Sequence, residues 1–419
     1  MVCFIEYPFK DTILKNAIRN KMTKPTDYFL EQPGLRRIAA DFFAGIGLVS
    51  LALSNKGWEI GYALDHSGLK RRMYEKHFGV GHYHQYDIKE VHGRDIPPVT
   101  LAHASFPCTD TSVAGSRGGI DTGESSTFWQ FVRILGEMGN QEKPGKPPFL
   151  LIENVEGFLT SGNGNDLRSA IKALNSLGYK TDLLLINASN FVPQSRVRLF
   201  IIGVLGIKAQ EPQFASVLLN SPSDVRPEKI KMFINKNSDL SWYINELPPL
   251  PKRFVTFEDI IDKQAIWWPK ERAYYLFSQM FERHKREIRM LFKNDFWTYG
   301  TVFRRMRLRD GIKQSTAELR LDGIAGCLRT PKGGSARQIV IRAGKGEFNA
   351  RLLNARECAY LMGAEAYKLD EQLSLNDALF GFGDSVCVPV VEWIIENYFN
   401  PLVKRDRLLE GAVELAVTL

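Results

Sequence analysis

Arg37-Ile38-Ala39-Ala40-Asp41-Phe42-Phe43-Ala44-Gly45-Ile46-Gly47 decides the fold of this chain. An apolar run ends in a Gly-x-Gly turn, and helical signals follow over Gly47–Lys56. Glycines at such a turn let the chain bend tightly and let a ligand approach the backbone. A dinucleotide fingerprint carries a third glycine, and Ser50 stands in its place. Further strands are expected at Glu59–Leu64, Thr100–Ala104, Phe149–Glu153, Lys180–Asn187 and Arg198–Val204. Helices are expected over Gly68–Phe78, Thr127–Met138 and Asn165–Leu177. Strands alternating with helices define an α/β fold built on a mostly parallel, doubly wound sheet.

The texture changes after Gly206. Pro212, Pro222, Pro227 and Pro248-Pro249-Leu250-Pro251 interrupt it, so 207–335 reads as a second, smaller and irregular domain. Helix signals return at Asn354–Met362 and Val388–Tyr398. The expected division is an N-terminal extension (1–35, with a basic helix over Thr12–Thr23), a ligand-binding domain (36–206), the second domain (207–335) and a C-terminal segment (336–419).

The chain has 419 residues, 44% hydrophobic and 24% charged, which is ordinary globular material for one large and one smaller domain. Its net charge of +8 favours a polyanionic partner. Between Phe281 and Arg309 nine Lys/Arg face three Asp/Glu, interleaved with Phe296, Trp297, Tyr299 and Phe303, a pattern suited to phosphate contact. Five scattered cysteines (Cys3, Cys108, Cys327, Cys358, Cys387) lack zinc spacing and suggest a reducing cytosol. His82-Tyr83-His84 reads as a surface loop, and no metal is expected. Glu6, Lys10 and Asp11 rule against a signal peptide, and no apolar run of membrane-spanning length is seen, so no membrane partner is expected.

Asp65 ends the second strand, where a carboxylate can accept from a pair of ribose hydroxyls. Asp87 follows a third short element, where an acid can accept from an adenine amino group. Nothing demands a pyrophosphate, so S-adenosylmethionine (SAM) competes with NAD. Three further stretches carry chemistry. A thiol stands in Ser105-Phe106-Pro107-Cys108 on the loop leaving a strand. A carboxyl stands in Leu151-Ile152-Glu153-Asn154-Val155, and paired guanidinium groups stand in Gln194-Ser195-Arg196-Val197-Arg198. Thiol, acid and guanidinium at successive strand edges suggest covalent catalysis.

Together with Arg329-Thr330-Pro331-Lys332-Gly333-Gly334-Ser335, Asn354-Ala355-Arg356-Glu357-Cys358-Ala359 and Gly383-Asp384-Ser385-Val386, these motifs resemble the cytosine-C5 DNA methyltransferases, most closely the bacterial restriction–modification type. The resemblance covers Arg36–Gly203 and Gly326–Tyr398. It implies a SAM-dependent methyltransferase fold with a discontinuous catalytic domain and a target-recognition insert. It implies a SAM site lined by Phe43, Gly45, Ile46, Gly47, Asp65, His66, Asp87, Ile88, Pro107, Ser385 and Val386. It also implies double-stranded DNA as partner, a separately acting cognate restriction endonuclease, a monomer, and a cytoplasmic protein held at the nucleoid by DNA. Cys108 would add to carbon 6 of a flipped-out cytosine, Glu153 would supply a proton at ring nitrogen 3, and Arg198, with Arg196 nearby, would grip the base and the carboxylate. Val113–Ser126 reads as a loop that closes over the base, with Arg117 on phosphate, and Arg304, Arg305 and Arg307 as further DNA contacts. The sequence departs from the family at Thr109, where Gln is usual, at Asp384, where Asn is usual, and at Glu124, where Arg is usual.

Overall fold

The computed structural model describes residues 35–107, 126–139, 145–207, 210, 212–309, 311–330, 337–370 and 372–403. Cys108, Thr109, Arg117, Glu124 and the helix expected over Thr12–Thr23 lie outside the described residues.

Strands β1 (Ile38–Phe42), β2 (Glu59–Leu64), β3 (Tyr83–His84), β4 (Leu101–Ala104), β5 (Phe149–Val155), β6 (Tyr179–Asn187) and β7 (Val197–Leu205) form one sheet. Their spatial order is β3-β2-β1-β4-β5-β7-β6. The pairs β2–β3, β1–β2, β1–β4 and β4–β5 are parallel, whereas β7 runs antiparallel to both neighbours. Helices α1 (Leu48–Asn55), α2 (Gly68–Phe78), α3 (Thr127–Gly139) and α4 (Asn165–Ser176) follow the strands as the alternation requires. The two-residue period sorts the strand side chains between two cores. Ala39, Leu101, Phe149 and Leu151 pack with α1 on one face, and Ala40, Ala102, Leu150 and Ile152 pack with α3 and α4 on the other. Both faces are covered, which is why these strands read as nearly continuous apolar runs. In α3 the buried residues Phe128, Phe131, Ile134, Leu135 and Met138 form one helical stripe.

Two helices that the sequence places in the second domain belong to this body. Helices α5 (Pro212–Asn220) and α6 (Glu228–Lys236) flank β6, and Leu219, Ile230 and Ile234 join the same core as Leu183 and Leu185. Buried Arg226 pairs there with buried Asp182, which also accepts from Tyr398 Oη at 3.2 Å.

The second unit is more regular than its proline-rich sequence implies. Helices α7 (Lys270–Ser278) and α8 (Glu282–Leu291) pack through Ala273, Leu276 and Ile288 onto a four-stranded antiparallel sheet. That sheet comprises β8 (Thr298–Arg309), β9 (Ile312–Arg320), β10 (Ile339–Gly344) and β11 (Glu347–Leu352), in the order β11-β10-β8-β9. The limit expected at 335 therefore falls inside one sheet, because β10 pairs with β8. The limit expected at 206 falls ahead of two helices that complete the first body.

The chain then returns through α9 (Ala355–Leu361), α10 (Leu375–Asp384) and α11 (Val388–Ile394), the last continuing as a π-helical turn over Ile395–Phe399. Asn354 and Glu357 cap α9 reciprocally. Glu357 also forms a buried bidentate pair with Arg351 of β11, at 2.6 and 2.8 Å, which ties the second sheet to the returning segment. Helix α11 lies on α1, where Asn55 Nδ2 donates to Glu392 at 2.6 Å and Trp58 Nε1 to Asn400 at 2.9 Å. Leu375–Val403 is the one described helical stretch long and apolar enough to cross a membrane, although it is no unbroken apolar run, and 67% of its apolar window is buried inside the protein.

Candidate active site

The site forms along one edge of the large sheet. The turn after β1, the ends of β2 and β3, Pro107 after β4, Glu153 near the end of β5 and Arg198 near the start of antiparallel β7 all reach it. Strand order reverses between β1 and β4, the place where open α/β sheets leave a crevice for ligands.

The β1 turn is built to admit a ligand to its backbone. Phe43 has φ 59° and Gly45 φ 59°, so two of three consecutive residues are left-handed. A Cβ on Gly45 would meet Phe43 O at 3.9 Å and Lys70 Cδ at 4.0 Å, ordinary contacts, so the positive φ and not crowding is what favours glycine here. Gly47 has another reason to be glycine. At φ 83° its Cβ would lie 2.5 Å from Phe78 and 2.6 Å from Tyr74. Ile46 is fully buried, and its carbonyl accepts from Tyr367 Oη at 2.7 Å. Ile46 and Gly47, expected to line the site, thus shape its turn from behind.

Asp65 is buried, and its two oxygens accept from the backbone N–H groups of Gly45 and Ser67, each at 3.0 Å. The carboxylate locks the β1 turn against the end of β2 as well as facing the crevice edge. His66 beside it is 76% exposed and 3.6 Å from that carboxylate. Asp87 is exposed and caps the short helix Ile88–Glu90 through Lys89 N–H, while Ile88 is buried. Ser385 Oγ donates to the Gly381 carbonyl at 2.7 Å, and Val386 is buried. Lys70 Nζ lies 3.1 Å from Asp384, so the acid that departs from the family pattern has a cation partner at this rim.

Beneath the turn runs a buried polar chain that sequence reading missed. Ser50 Oγ donates to Asp41 Oδ2 at 2.6 Å, Tyr74 Oη donates to Ser50 at 3.2 Å, and His103 Nδ1 pairs with Asp41 Oδ1 at 2.7 Å. His82 Nε2 contacts Tyr74 Oη at 3.0 Å. Ser50 stands where a third glycine was sought because its hydroxyl satisfies a carboxylate inside the sheet. An acid within an apolar strand was the available signal. His84, read as part of a loop, belongs to the edge strand β3 and His82 precedes it, and among the described residues no cluster suits a metal ion.

On the catalytic side, Arg198 Nε lies 2.8 Å from Glu153 Oε1, with Glu153 6% exposed. Asn154 Nδ2 donates to the Phe106 carbonyl at 3.4 Å, which joins β5 to the loop that carries Pro107. Arg196 is placed differently from the sequence expectation. Its buried guanidinium donates to the carbonyls of Leu328 at 3.0 Å and Gly383 at 3.2 Å, and to that of Ser385. It clamps the returning segment rather than joining Glu153. Gln194 does the same, donating to the Leu361 carbonyl at 2.6 Å and accepting from Leu328 N–H at 2.9 Å. Cys327 also reaches this place, its sulfur 3.3 Å from Arg196 Nη1 and 3.9 Å from Arg198 Nη2. It lies two residues before the quoted Arg329 motif, which was the signal for it.

Of the DNA-contact candidates, Arg305 and Arg307 project from β8 and both pair with Glu318 of β9, at 3.6 and 2.7 Å. Arg304 is half-buried. Burial, and then the neighbouring Arg272, lower its pKa.

The sheet order and the turn after β1 are those of the SAM-dependent methyltransferase fold. A family model described as C-5 cytosine-specific DNA methylase matches residues 38–400, and the chain belongs to that family. The chain is 27% identical over 369 residues to the type II methyltransferase M.HpaII of Haemophilus parainfluenzae, covering 84% of this chain and 86% of that one. It is 32% identical over 170 residues to M.HhaI of Haemophilus parahaemolyticus, covering 40% of this chain. The matched stretch spans only 49% of M.HhaI and 40% of M.BsuFI of Bacillus subtilis. In three dimensions it resembles the Dnmt2 methyltransferase of S. pombe, with TM-score 0.55 and 17% identity over 88% of this chain and 99% of that one.

Proposed function

We propose that this protein transfers a methyl group from SAM to carbon 5 of a cytosine flipped out of a specific double-stranded DNA sequence. The Glu153–Arg198 pair at the switch-point edge, tied through Asn154 to the loop of Pro107 and Cys108, is the observation that carries this reading. An adenosyl ligand suits the left-handed turn at Phe43 and Gly45, with the Asp65 carboxylate at its rim. When bound, SAM supplies an electrophilic methyl group for carbon 5.

Carbon 5 of cytosine is a poor nucleophile until carbon 6 is occupied. The Cys108 thiolate adds at carbon 6 and makes carbon 5 enamine-like. Electron density then moves toward ring nitrogen 3, where Glu153 holds the compensating proton. Arg198 keeps the Glu153 carboxyl aimed, and its guanidinium turns toward the cytosine carbonyl oxygen when the base is bound. Loss of the carbon-5 proton to water lets the thiolate leave. Arg196 contributes indirectly, by holding Ser385 and Val386 against the ligand crevice. The second sheet with α7 and α8 is the target-recognition part, with Arg304, Arg305, Arg307 and Arg117 on phosphates. The relatives' names include both type II and orphan methyltransferases. We favour the type II reading, with a separate endonuclease of the same specificity and a monomer working on nucleoid DNA in the cytoplasm.

The test is methyl incorporation from labelled SAM into duplex DNA, with tRNA as comparison. Duplex labelling is expected, and Cys108→Ser abolishes it while SAM binding persists. Labelling of tRNA alone would move the substrate to RNA. No labelling, and no trapped adduct on 5-fluorocytosine DNA that the protein binds, would reject the enzyme reading. Bisulfite sequencing of DNA from an expressing host then names the target sequence.

A further inference from the structure

Beside the Glu153–Arg198 pair lies a cavity of about 240 Å³ whose wall includes Cys327, Gln338 and the arginines Arg304, Arg305, Arg320 and Arg329. Gln338 is 6% exposed, and its Oε1 has no hydrogen-bond partner among the described residues. Cations gather here from three directions. Arg198 comes from β7 and Arg196 from the residue before it, Arg304 and Arg305 from β8 and Arg320 from β9, while Arg329 lies two residues along from the thiol. The nearby acids are Glu153, already engaged by Arg198 Nε, and Glu318, shared by Arg305 and Arg307. The Cys387 thiol, near Arg196, is pushed up to about 12 by burial and stays neutral.

We propose that Cys327 is a second functional thiol of this protein, a positioning residue whose sulfur holds Arg196 and Arg198 in place behind the cytosine pocket. This rests on the cytosine-pocket reading of Glu153 and Arg198. Arg198 meets Glu153 through Nε and the sulfur through Nη2, so separate edges of one planar group are fixed from two sides. Arg196 donates to the sulfur with the same Nη1 that holds the Leu328 carbonyl. Burial works against ionisation of Cys327, but Arg196, Arg198 and Arg329 together hold its pKa below the ordinary thiol range. The sulfur also lies 3.3 Å from the Leu328 carbonyl, and the three guanidinium groups favour its ionised form, whose charge offsets their mutual repulsion. Cys358, fully buried beside Glu357, is shifted the opposite way and serves as an internal reference.

The experiment uses the full chain and two alkylating agents, iodoacetate and iodoacetamide, with each cysteine mapped by mass spectrometry across pH. The sulfur takes the iodo-carbon, the C–I bond breaks, iodide leaves with the bonding pair, and the thiol proton goes to buffer. Cys327 is expected to react with a midpoint below that of free cysteine. It should prefer the anionic reagent in a salt-sensitive way, with Cys358 unmodified. In methyl transfer, Cys327→Ser is expected to lower kcat by about tenfold with an unchanged KM for SAM, as loss of a charged hydrogen bond implies. Cys327→Asp, which restores an anion, should recover part of that loss. A midpoint at or above that of free cysteine, a Ser variant equal to wild type, or an Asp variant worse than Ser would each overturn the proposal. Should Cys108→Ser remain active, the cytosine-pocket reading fails instead, and the alkylation result still judges the thiol.

Discussion

Phe43 holds a backbone conformation that a side chain disfavours, and it does so one residue past a strand whose last four residues are buried. Strain of this kind costs about 1–3 kcal/mol and persists where the surroundings enforce it. Here the enforcement comes from Asp65, which grips Gly45 N–H, and from Tyr74 and Phe78, which fill the space behind Gly47. Gly47→Ala adds a strained φ and a Cβ at 2.5 Å from an aromatic ring. It should destabilise the fold by about 2–4 kcal/mol and weaken SAM binding, through left-handed strain and overpacking. Denaturant unfolding and a SAM titration measure both, and an unchanged SAM affinity would show that the turn does not shape the ligand crevice. At this scale the sequence was most legible at Glu153 and Arg198, which the strand pattern set at neighbouring strand edges and which do pair. It was least legible where the partner lies far along the chain. Nothing local to Ser50 reveals that Asp41 and, through it, His103 need its hydroxyl.

Among the elements, α2 and β3 form an edge rich in half-buried histidines. His77 stacks on Tyr367 at 4.6 Å, His82 meets Tyr74, and His84 stacks on Tyr62 at 4.3 Å. Burial lowers all three pKa values, with Lys368 adding to the effect at His77 and His82 adding to it at His84. The unfolded chain therefore binds more protons at these rings than the folded one. Their contribution to stability is present above the unfolded value of about 6.5 and is lost as pH falls through the lower folded values. Thermal midpoints should drop between about pH 7 and pH 5, and replacing the three histidines with Gln should flatten that slope; an equal slope would remove the histidines as its cause. The parallel strands of the first body were readable because burial on both faces leaves an apolar run. Strand β8 was not, because one face of an antiparallel sheet is solvated and its arginines read as a charge cluster. The Asp310-Gly311 pair between β8 and β9 was the overlooked hairpin signal, with Gly311 at φ 77°.

At the scale of the whole molecule, the second sheet carries a cationic face on which Glu318 of β9 engages Arg305 and Arg307 of β8. Glu318→Gln should release both guanidinium groups and tighten duplex binding. The salt dependence should steepen by about 0.9 in log–log slope for each phosphate newly contacted. Fluorescence anisotropy across a salt series reads this, and unchanged affinity would place the outer face of β8 away from DNA. The order of motifs announced a discontinuous body, yet its limits were hidden. Proline-rich sequence marks the covering helices α5 and α6 and the second unit alike, and only packing separates them.

Helix α11 covers α1, although more than 300 residues separate Asn55 from its partner Glu392. A ribosome adding about 5–20 residues per second needs on the order of half a minute to travel between them. Throughout that interval the apolar face of α1 has no lid, and the nascent chain is a client for chaperones. The carbonyls that Arg196 and Gln194 grip are likewise not yet made. A half-translated chain thus has no finished crevice, and under the proposed function its capacity for methyl transfer arrives only once α11 has been made.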